Sequence, residues 1–245
     1  MDERTLDVAG APVASTPGPI EVGEAREVDL ALLIADLCGY TALTEAHGAL
    51  HASEVVLRFG RLVEASLEPG VRIIDCIGDD VLCAGPDIPA VVRTALRLRQ
   101  AIQDQPNFLD VRTGIHHGRV VEREGRLFGS PINLVARVAG HAQGGQILCT
   151  EPVAHAVRGA GGFETRALGK KRFKNVTHRV AVFELTSAVA PKPATALDPV
   201  CRMQVEIDRA AATASYGGAI QFFCSLECSQ IFAKAPELYV EVLDR

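Results

Sequence analysis

The feature that most constrains the fold is one apolar run, residues 30–41, with the sequence LALLIADLCGYT. Every residue before Asp36 in this run is alanine or a large aliphatic residue, which predicts a strand buried on both faces. A turn containing Gly39 follows, and a helical pattern begins after it. A carboxylate at the end of a buried strand, beside a helix N-terminus, suits a metal-bound polyphosphate. Aspartate is also a common turn residue at strand ends, so this interpretation depends on the rest of the chain.

Composition and charge narrow the class of protein. The 245 residues carry a net charge of −5 and have a pI near 5.8, which argues against a nucleic-acid partner. No uncharged apolar run is long enough to cross a membrane, and the start, MDERTLDV, lacks the basic region of a signal peptide. The seven cysteines, an odd number, do not suggest a disulfide framework. We therefore expect a cytoplasmic protein of one or two domains, with no membrane or nucleic-acid partner.

The order of predicted elements indicates a fold class. Residues 1–26 show no sustained period and are predicted to be a flexible tail. A strand at 30–36 is followed by a helix at 49–67, two strands within 71–83 that turn at residues 78–80, and a second helix from Pro89. The next strand, 111–116, is expected to turn at Gly118 and return through residues 119–121. This βαββαβ order predicts an α+β protein with a ferredoxin-like core.

The second half of the chain adds further elements and a boundary. Ser130 is the expected N-cap, and Pro131 the first residue, of a helix that runs to about His141. A strand at QILCT, a short helix at 151–157 and two strand-like runs complete the first domain. Residues 188–197, AVAPKPATAL, are predicted to be a Pro/Ala linker. A compact module, residues 198–245, follows.

Two carboxylates are expected to meet at one site. Asp79 lies at the tip of the predicted hairpin, and Asp36 ends the first strand, so the two side chains converge if the hairpin pairs beside that strand. Hard cations such as Mg²⁺ and Mn²⁺ take oxygen ligands, and phosphoryl chemistry often uses two of them. Asp79 can also be explained as a turn former, and we interpret Asp80 as a turn residue.

Asn133 and Arg137 are four residues apart and therefore share one helix face. An amide and a guanidinium near a helix N-terminus are donors suited to a developing negative charge. The alternative is an ordinary solvated helix face.

Several motifs in order resemble the catalytic domain of class III adenylate/guanylate cyclases. They are IADLCGYTALTEAHG, CIGDDVL, VRTGIHHGRVV, FGSPINLVARV, GGQILCT and LGKKRFKNV, and the resemblance covers about residues 27–187. In that family two domains pair head to tail, and the catalytic sites form between the two subunits. The resemblance therefore implies a homodimeric enzyme that converts ATP or GTP to a cyclic nucleotide and pyrophosphate.

The resemblance also implies roles for individual residues. Asp36 and Asp79 of one subunit would hold two Mg²⁺ or Mn²⁺ ions. Asn133 and Arg137 of the other subunit would bind the ribose and the transferring phosphate, and Lys174 would meet the terminal phosphates. The turn after the first strand would contribute its backbone to phosphate binding; its residues are Gly39, Tyr40 and Thr41.

The chain departs from the family at the two positions that usually read the base. Asp75 stands where a lysine is usual, four residues before Asp79, and Arg126 stands where Asp, Thr or Ser is usual. Asp75 could accept from N1–H and N2–H₂ of guanine while Arg126 donates to O6 and N7. It could also accept from N6–H₂ of adenine while Arg126 meets N1, and the two side chains could instead pair with each other. We expect ATP narrowly, since the soluble bacterial relatives mostly use it.

The C-terminal module resembles a YHS or TRASH-type cysteine domain. Cys201, Cys224 and Cys228 can supply three thiolates to Zn²⁺ or Cu⁺. No histidine lies in the module, so a fourth ligand is not evident. The alternative is that these cysteines are reduced core thiols.

The sequence thus predicts a homodimeric nucleotidyl cyclase with a metal- or redox-sensing appendage. The main alternative is a catalytically silent dimer that transmits the state of its cysteines, and another is a metallochaperone built on a cyclase-like scaffold. The retention of all five catalytic positions favours an enzyme: Asp36, Asp79, Asn133, Arg137 and Lys174.

Overall fold

The computed structural model describes residues 23–159, 162–186 and 194–240. Most of the predicted tail, residues 1–22, and most of the predicted linker, residues 188–193, lie outside the described residues. Within the described part, the expected tail already gives way to a strand at Arg26.

The described residues form thirteen strands and five α-helices. In chain order these are β1 (Arg26–Leu37), α1 (Tyr40–Ser66), β2 (Arg72–Ile77), β3 (Asp80–Gly85), α2 (Ile88–Gln103), β4 (Phe108–Leu109), β5 (Val111–Arg123), β6 (Arg126–Phe128), α3 (Ser130–Ala139), β7 (Ile147–Thr150), α4 (Glu151–Val157), β8 (Glu164–Lys171), β9 (Val180–Thr186), β10 (Thr195–Leu197), β11 (Met203–Glu206), β12 (Ala212–Tyr216), β13 (Ala219–Phe223) and α5 (Leu226–Lys234). None of these helices combines the length and the apolar character needed to span a bilayer.

The main sheet confirms the predicted ferredoxin-like core. Its strand order is β2-β3-β1-β5-β7-β9-β8, with β6 paired to β5. The first four strands in this order are antiparallel neighbours, and β7 joins β5 in parallel. The central position of β1 brings the end of the first strand between the hairpin and β5.

Both faces of β1 are covered, as its apolar run predicts. Leu33 and Ala35 belong to a core that includes residues of α1, α2 and α4, whereas Leu32 packs with Val135 of α3 on the other face. Helix α3 lies very close to β5, because a Cβ atom on Gly114 would be 2.4 Å from the backbone nitrogen of Ala139. Only glycine allows this approach, which fixes α3 against the sheet.

The turn predicted at Gly118 is wrong. Strand β5 continues to Arg123: it pairs with β1 from Val111 to Glu122, and Gly118 lies opposite Leu30 within that stretch. The chain turns back at Glu124 and Gly125, which both have positive φ, and returns as β6.

Two helix starts differ from their predictions. Helix α1 already begins at Tyr40, and its helical backbone is interrupted at Gly48, with φ 79° and ψ 165°. Ser130 is the first residue of α3 rather than its cap, and Gly129 takes the preceding position. Pro131 lies in the first turn, as predicted.

The C-terminal part packs directly on the N-terminal part. Strand β11 pairs with β10 on one side and with β4 on the other, so β4 extends the small sheet. Strand β10, Thr195–Leu197, occupies residues that the sequence assigned to the linker. A hairpin of β12 and β13 and helix α5 complete this part.

Candidate active site and cysteine cluster

The end of β1 carries a row of three charged residues on neighbouring strands. Asp36 lies opposite Asp80 of β3 and opposite Arg112 of β5. Asp36 is almost fully buried, and the Arg112 guanidinium is hydrogen-bonded to its carboxylate. Asp80 is therefore not only a turn residue, as the sequence suggested, but the first residue of β3 in this row.

Asp79 joins the row from the hairpin tip. Its carbonyl oxygen accepts a hydrogen bond from the backbone N–H of Leu37 at 3.3 Å, which ties the tip to the end of β1. Burial raises the pKa of Asp36, and the charge of Asp80 raises it further. Burial also raises the pKa of Asp79, with a contribution from Asp36. Three carboxylates that repel one another in a half-buried place are a donor set that fits a hard divalent cation.

The sequence analysis missed Arg112 as a site residue. The register of the strands would have identified it, because the antiparallel pairing of β1 with β5 places Arg112 opposite Asp36. In the structure its guanidinium supplies the positive charge beside the carboxylates, at the place where a cation or an anionic ligand would act.

A second group of predicted site residues lies in a different cavity. Asn133 and Arg137 project from α3, and both line an open cavity of about 620 Å³ together with Lys174. His116 lines the same cavity, and its Nδ1 lies 2.8 Å from Oγ1 of Thr150. Burial lowers the pKa of His116 to about 4, which keeps its imidazole neutral.

The predicted base-reading residues share a third location. Asp75 and Arg126 line a cavity of about 320 Å³ beside Asp80, and the apolar side chains of Ile77 and Phe128 also line it. The backbone N–H of Cys76 donates to Oδ1 of Asp75 at 3.0 Å. This cavity, which includes Asp80, shares no lining residue with the cavity that includes Arg137.

The turn between β1 and α1 is closely packed. Gly39 has a φ of 91°, and its carbonyl oxygen accepts the first helical hydrogen bond, from Leu43 N–H at 3.0 Å. No side chain caps this helix start, which leaves the first backbone N–H groups of α1 for another acceptor. Those groups belong to the predicted phosphate-binding residues, which include Tyr40 and Thr41.

Comparison with known proteins decides the family. The family model of the adenylate and guanylate cyclase catalytic domain matches residues 23–187, about two thirds of the chain. The chain belongs to this cyclase family. The model of the YHS domain matches residues 196–242, so the second predicted resemblance is also confirmed.

Individual relatives agree with this assignment. A pH-sensitive adenylate cyclase of Mycobacterium tuberculosis is 33% identical over 188 residues, which are 76% of this chain and 46% of that protein. An adenylate cyclase of Streptomyces coelicolor is 34% identical over 136 residues, 53% of this chain and 35% of the relative. The chain thus spans less than half the length of these curated relatives.

Solved structures share the fold of the cyclase domain. The adenylyl cyclase CyaB of Pseudomonas aeruginosa superposes with a TM-score of 0.61 at 19% identity, covering 68% of this chain and 97% of that one. An adenylate/guanylate cyclase/hydrolase from Silicibacter pomeroyi gives a TM-score of 0.56 at 26% identity, covering 67% and 99%.

The YHS domain brings its three cysteines together, and the cyclase domain adds a histidine. Sγ of Cys201 lies 3.4 Å from Sγ of Cys224, which lies 3.8 Å from Sγ of Cys228. Nε2 of His47, in α1, lies 3.2 Å from Sγ of Cys228. Hydrogen bonds from Cys201 and Cys224 lower the pKa of the Cys228 thiol. His47 is not predictable from the sequence of the module, because it lies in α1 of the cyclase domain.

Proposed function

We propose that this chain is a nucleotidyl cyclase that converts ATP, in narrow preference to GTP, to the 3′,5′-cyclic nucleotide and pyrophosphate. The observation that carries the proposal is the row of Asp80, Asp36 and Arg112 with Asp79 beside it. A cluster of three carboxylates around the buried Asp36, with one guanidinium, is costly for stability alone, but it suits a cation and a polyphosphate. A nucleoside triphosphate substrate is consistent with a cytoplasmic location.

Asp36 and Asp79 would hold two Mg²⁺ or Mn²⁺ ions, for which their oxygen atoms are suitable ligands. When bound, such ions neutralise phosphate charge and lower the pKa of a coordinated hydroxyl. The side chains and backbone of the protein would bind the triphosphate and align the reacting atoms.

Binding of the triphosphate would use donors around the turn. The backbone N–H groups of Gly39, Tyr40 and Thr41 would donate to phosphate oxygens, as helix N-termini commonly do. Arg112 and Lys174 would pair with the terminal phosphates. These contacts would hold the α-phosphate in line with the attacking 3′-oxygen.

The reaction would make one bond and break one. The 3′-oxygen forms a bond to the α-phosphorus and loses its proton to solvent, while the bond from the α-phosphorus to the bridging oxygen breaks and pyrophosphate leaves. Asn133 would orient the ribose, and Arg137 would donate to the phosphate as negative charge builds up on it.

The arrangement of the cavities supports a site shared by two chains. Asn133, Arg137 and Lys174 lie in a different cavity from Asp80 in the single chain, and all three side chains are exposed. Ile77 and Phe128, at the edge of the cavity beside Asp80, are 70% and 50% exposed. A second copy packed head to tail would cover these apolar groups and bring the two halves together.

Base selection would involve Asp75 and Arg126, which line one cavity. Both purines can be accommodated by this pair in different orientations, so guanylate cyclase activity is the alternative substrate assignment.

The test is an assay of the purified protein with Mn²⁺ and either ATP or GTP, with the cyclic product separated and identified. The matched control is Asp36→Asn, which keeps the shape of the side chain and removes its charge. We expect cyclic AMP from the wild type and none from the variant. The absence of cyclic product from both nucleotides would contradict the proposal and favour the silent sensor.

A further inference from the structure

The cysteine cluster has the geometry of a complete ligand set. The ligand atoms of His47, Cys201, Cys224 and Cys228 all lie within 4.8 Å of one another. Sulfur ligands about 2.3 Å from a central zinc ion lie about 3.8 Å apart in a tetrahedron. The separations of 3.4 Å and 3.8 Å between the sulfur atoms are close to that value.

His47 is oriented toward the cluster by its surroundings. Its Nε2 faces Sγ of Cys228 at 3.2 Å, while Nδ1 lies 3.8 Å from a carboxylate oxygen of Glu227. A carboxylate on the far nitrogen favours a proton there and leaves the near nitrogen with its lone pair available.

The cysteines are held in place by a buried carboxylate. Asp198 is fully buried, and its side chain accepts hydrogen bonds from the backbone N–H groups of Val200, Cys201 and Cys224. This carboxylate joins the two segments that carry the cysteines. Cys201 and Cys228 are themselves fully buried, so the ligands are arranged before any ion enters.

We propose that His47, Cys201, Cys224 and Cys228 form a tetrahedral zinc site shared between the cyclase domain and the YHS domain. Three of the ligands come from the YHS domain, and the fourth comes from α1 of the cyclase domain. Binding replaces the three thiol protons with one Zn²⁺ ion and leaves the histidine neutral. The site does not depend on whether the cyclase is active.

The ligand set favours zinc over copper. A closed set of three thiolates and one imidazole is a common structural zinc site. Cu(I) is selected by soft sulfur ligands. The imidazole of His47 completes a four-coordinate arrangement here. Loss of His47 should therefore weaken the binding of zinc.

A shared site would fasten the two domains where they already touch. Cβ of Arg202 would lie only 2.5 Å from a Cβ atom on Gly39, and Nε2 of Gln204 donates to Oδ2 of Asp110 at 2.6 Å. Both contacts surround the turn that follows Asp36. The zinc ion would therefore connect the YHS domain to the helix that begins at the proposed phosphate-binding turn.

The experiment measures zinc in the full chain by mass spectrometry and its affinity by competition with a chromophoric chelator. We expect one zinc per chain in the wild type and binding at least about 100-fold weaker in His47→Ala, since even outer ligand partners contribute 10–100-fold. His51→Ala is the matched control, because His51 lies one turn further along α1 with an exposed ring. His47→Cys should restore tight binding.

X-ray absorption of the zinc-loaded wild type provides a readout that does not depend on a variant folding. The expected spectrum has three sulfur atoms at about 2.3 Å and one imidazole nitrogen at about 2.0 Å. A spectrum without imidazole, unchanged affinity in His47→Ala, or copper bound without any effect of His47 would each overturn the shared zinc site.

Discussion

Arg112 and Asp36 lie directly opposite each other on adjacent antiparallel strands, and the guanidinium is paired with the carboxylate. The pair sits at the point where Asp79 and Asp80 also gather. In the protein without metal, this guanidinium offsets part of the repulsion among the carboxylates. A divalent cation would supply positive charge at the same place.

Replacing Arg112 should therefore have an effect that depends on metal. Without divalent cations, Arg112→Met should lower the free energy of unfolding by about 2 kcal/mol, because Asp36 loses a charged hydrogen bond. Added Mn²⁺ should reduce this difference, since the cation replaces the lost charge. The measurement is chemical denaturation with and without Mn²⁺.

Arg119→Met is the matched control on the same strand. Arg119 is exposed and pairs with Asp29 at 2.9 Å, so its loss should change stability little and independently of Mn²⁺. An equal loss in both variants, unaffected by Mn²⁺, would contradict a cation site at Asp36.

Activity should require residues from two chains. Asp36→Ala and Arg137→Ala should each be inactive, but their mixture should regain about a quarter of wild-type activity, because half of randomly paired dimers carry one intact site of two. Enzyme assays on mixtures with verified heterodimers test this. No recovery would show that both residues act within the same chain.

Base preference should follow Asp75 and Arg126. The double substitution Asp75→Lys, Arg126→Asp should raise the ratio of kcat/KM for ATP to that for GTP. Polar groups buried against the wrong purine cost about 1–3 kcal/mol each, enough to change the ratio measurably. If the ratio stays the same, these two side chains do not contact the base.

Stability should fall in mild acid because of His116. Its pKa in the folded protein is about 4, compared with 6.5 for an unperturbed histidine, mainly because of burial. The unfolded chain therefore binds the proton more readily between these pH values, and the free energy of unfolding should drop by about 2.5 kcal/mol as pH falls from 6.5 to 4. Denaturation curves at several pH values measure the drop.

His116→Asn should remove most of this pH dependence, because asparagine does not titrate. The control is His155→Asn, an exposed histidine in α4, which should leave the dependence intact. The same pH dependence in all three proteins would assign it to another group.

The sequence predicts that Asp36 and Asp79 come together, but not that Asp80 joins them. The apolar run before Asp36 specified a central strand, and the Gly-Asp turn specified a hairpin, so both strand ends were known. No local sequence pattern predicts that β1 pairs with β5 along the stretch from Val111 to Glu122, because the two strands are far apart in the chain. A turn is therefore predicted at Gly118, although its pairing with Leu30 keeps it inside a long strand.

The cysteine cluster was half predictable. The spacing of Cys201, Cys224 and Cys228 predicts a possible set of three thiolate ligands, with reduced core thiols as the alternative. His47 is separated from Cys228 by 181 positions, and only the packing of the YHS domain on α1 brings them together. No local pattern at His47 differs from that of His51, so the sequence held no signal to choose between them.

The break at Gly48 divides α1 into two pieces that pack on the same core. Residues 40–47 lie between the turn at Gly39 and the cysteine cluster, and the backbone of Gly48 is not helical. Leu43 before the break and Phe59 after it are both buried in that core. The segment that carries His47 is therefore held by the protein interior, and a zinc ion at His47 would attach the same segment to the YHS domain as well.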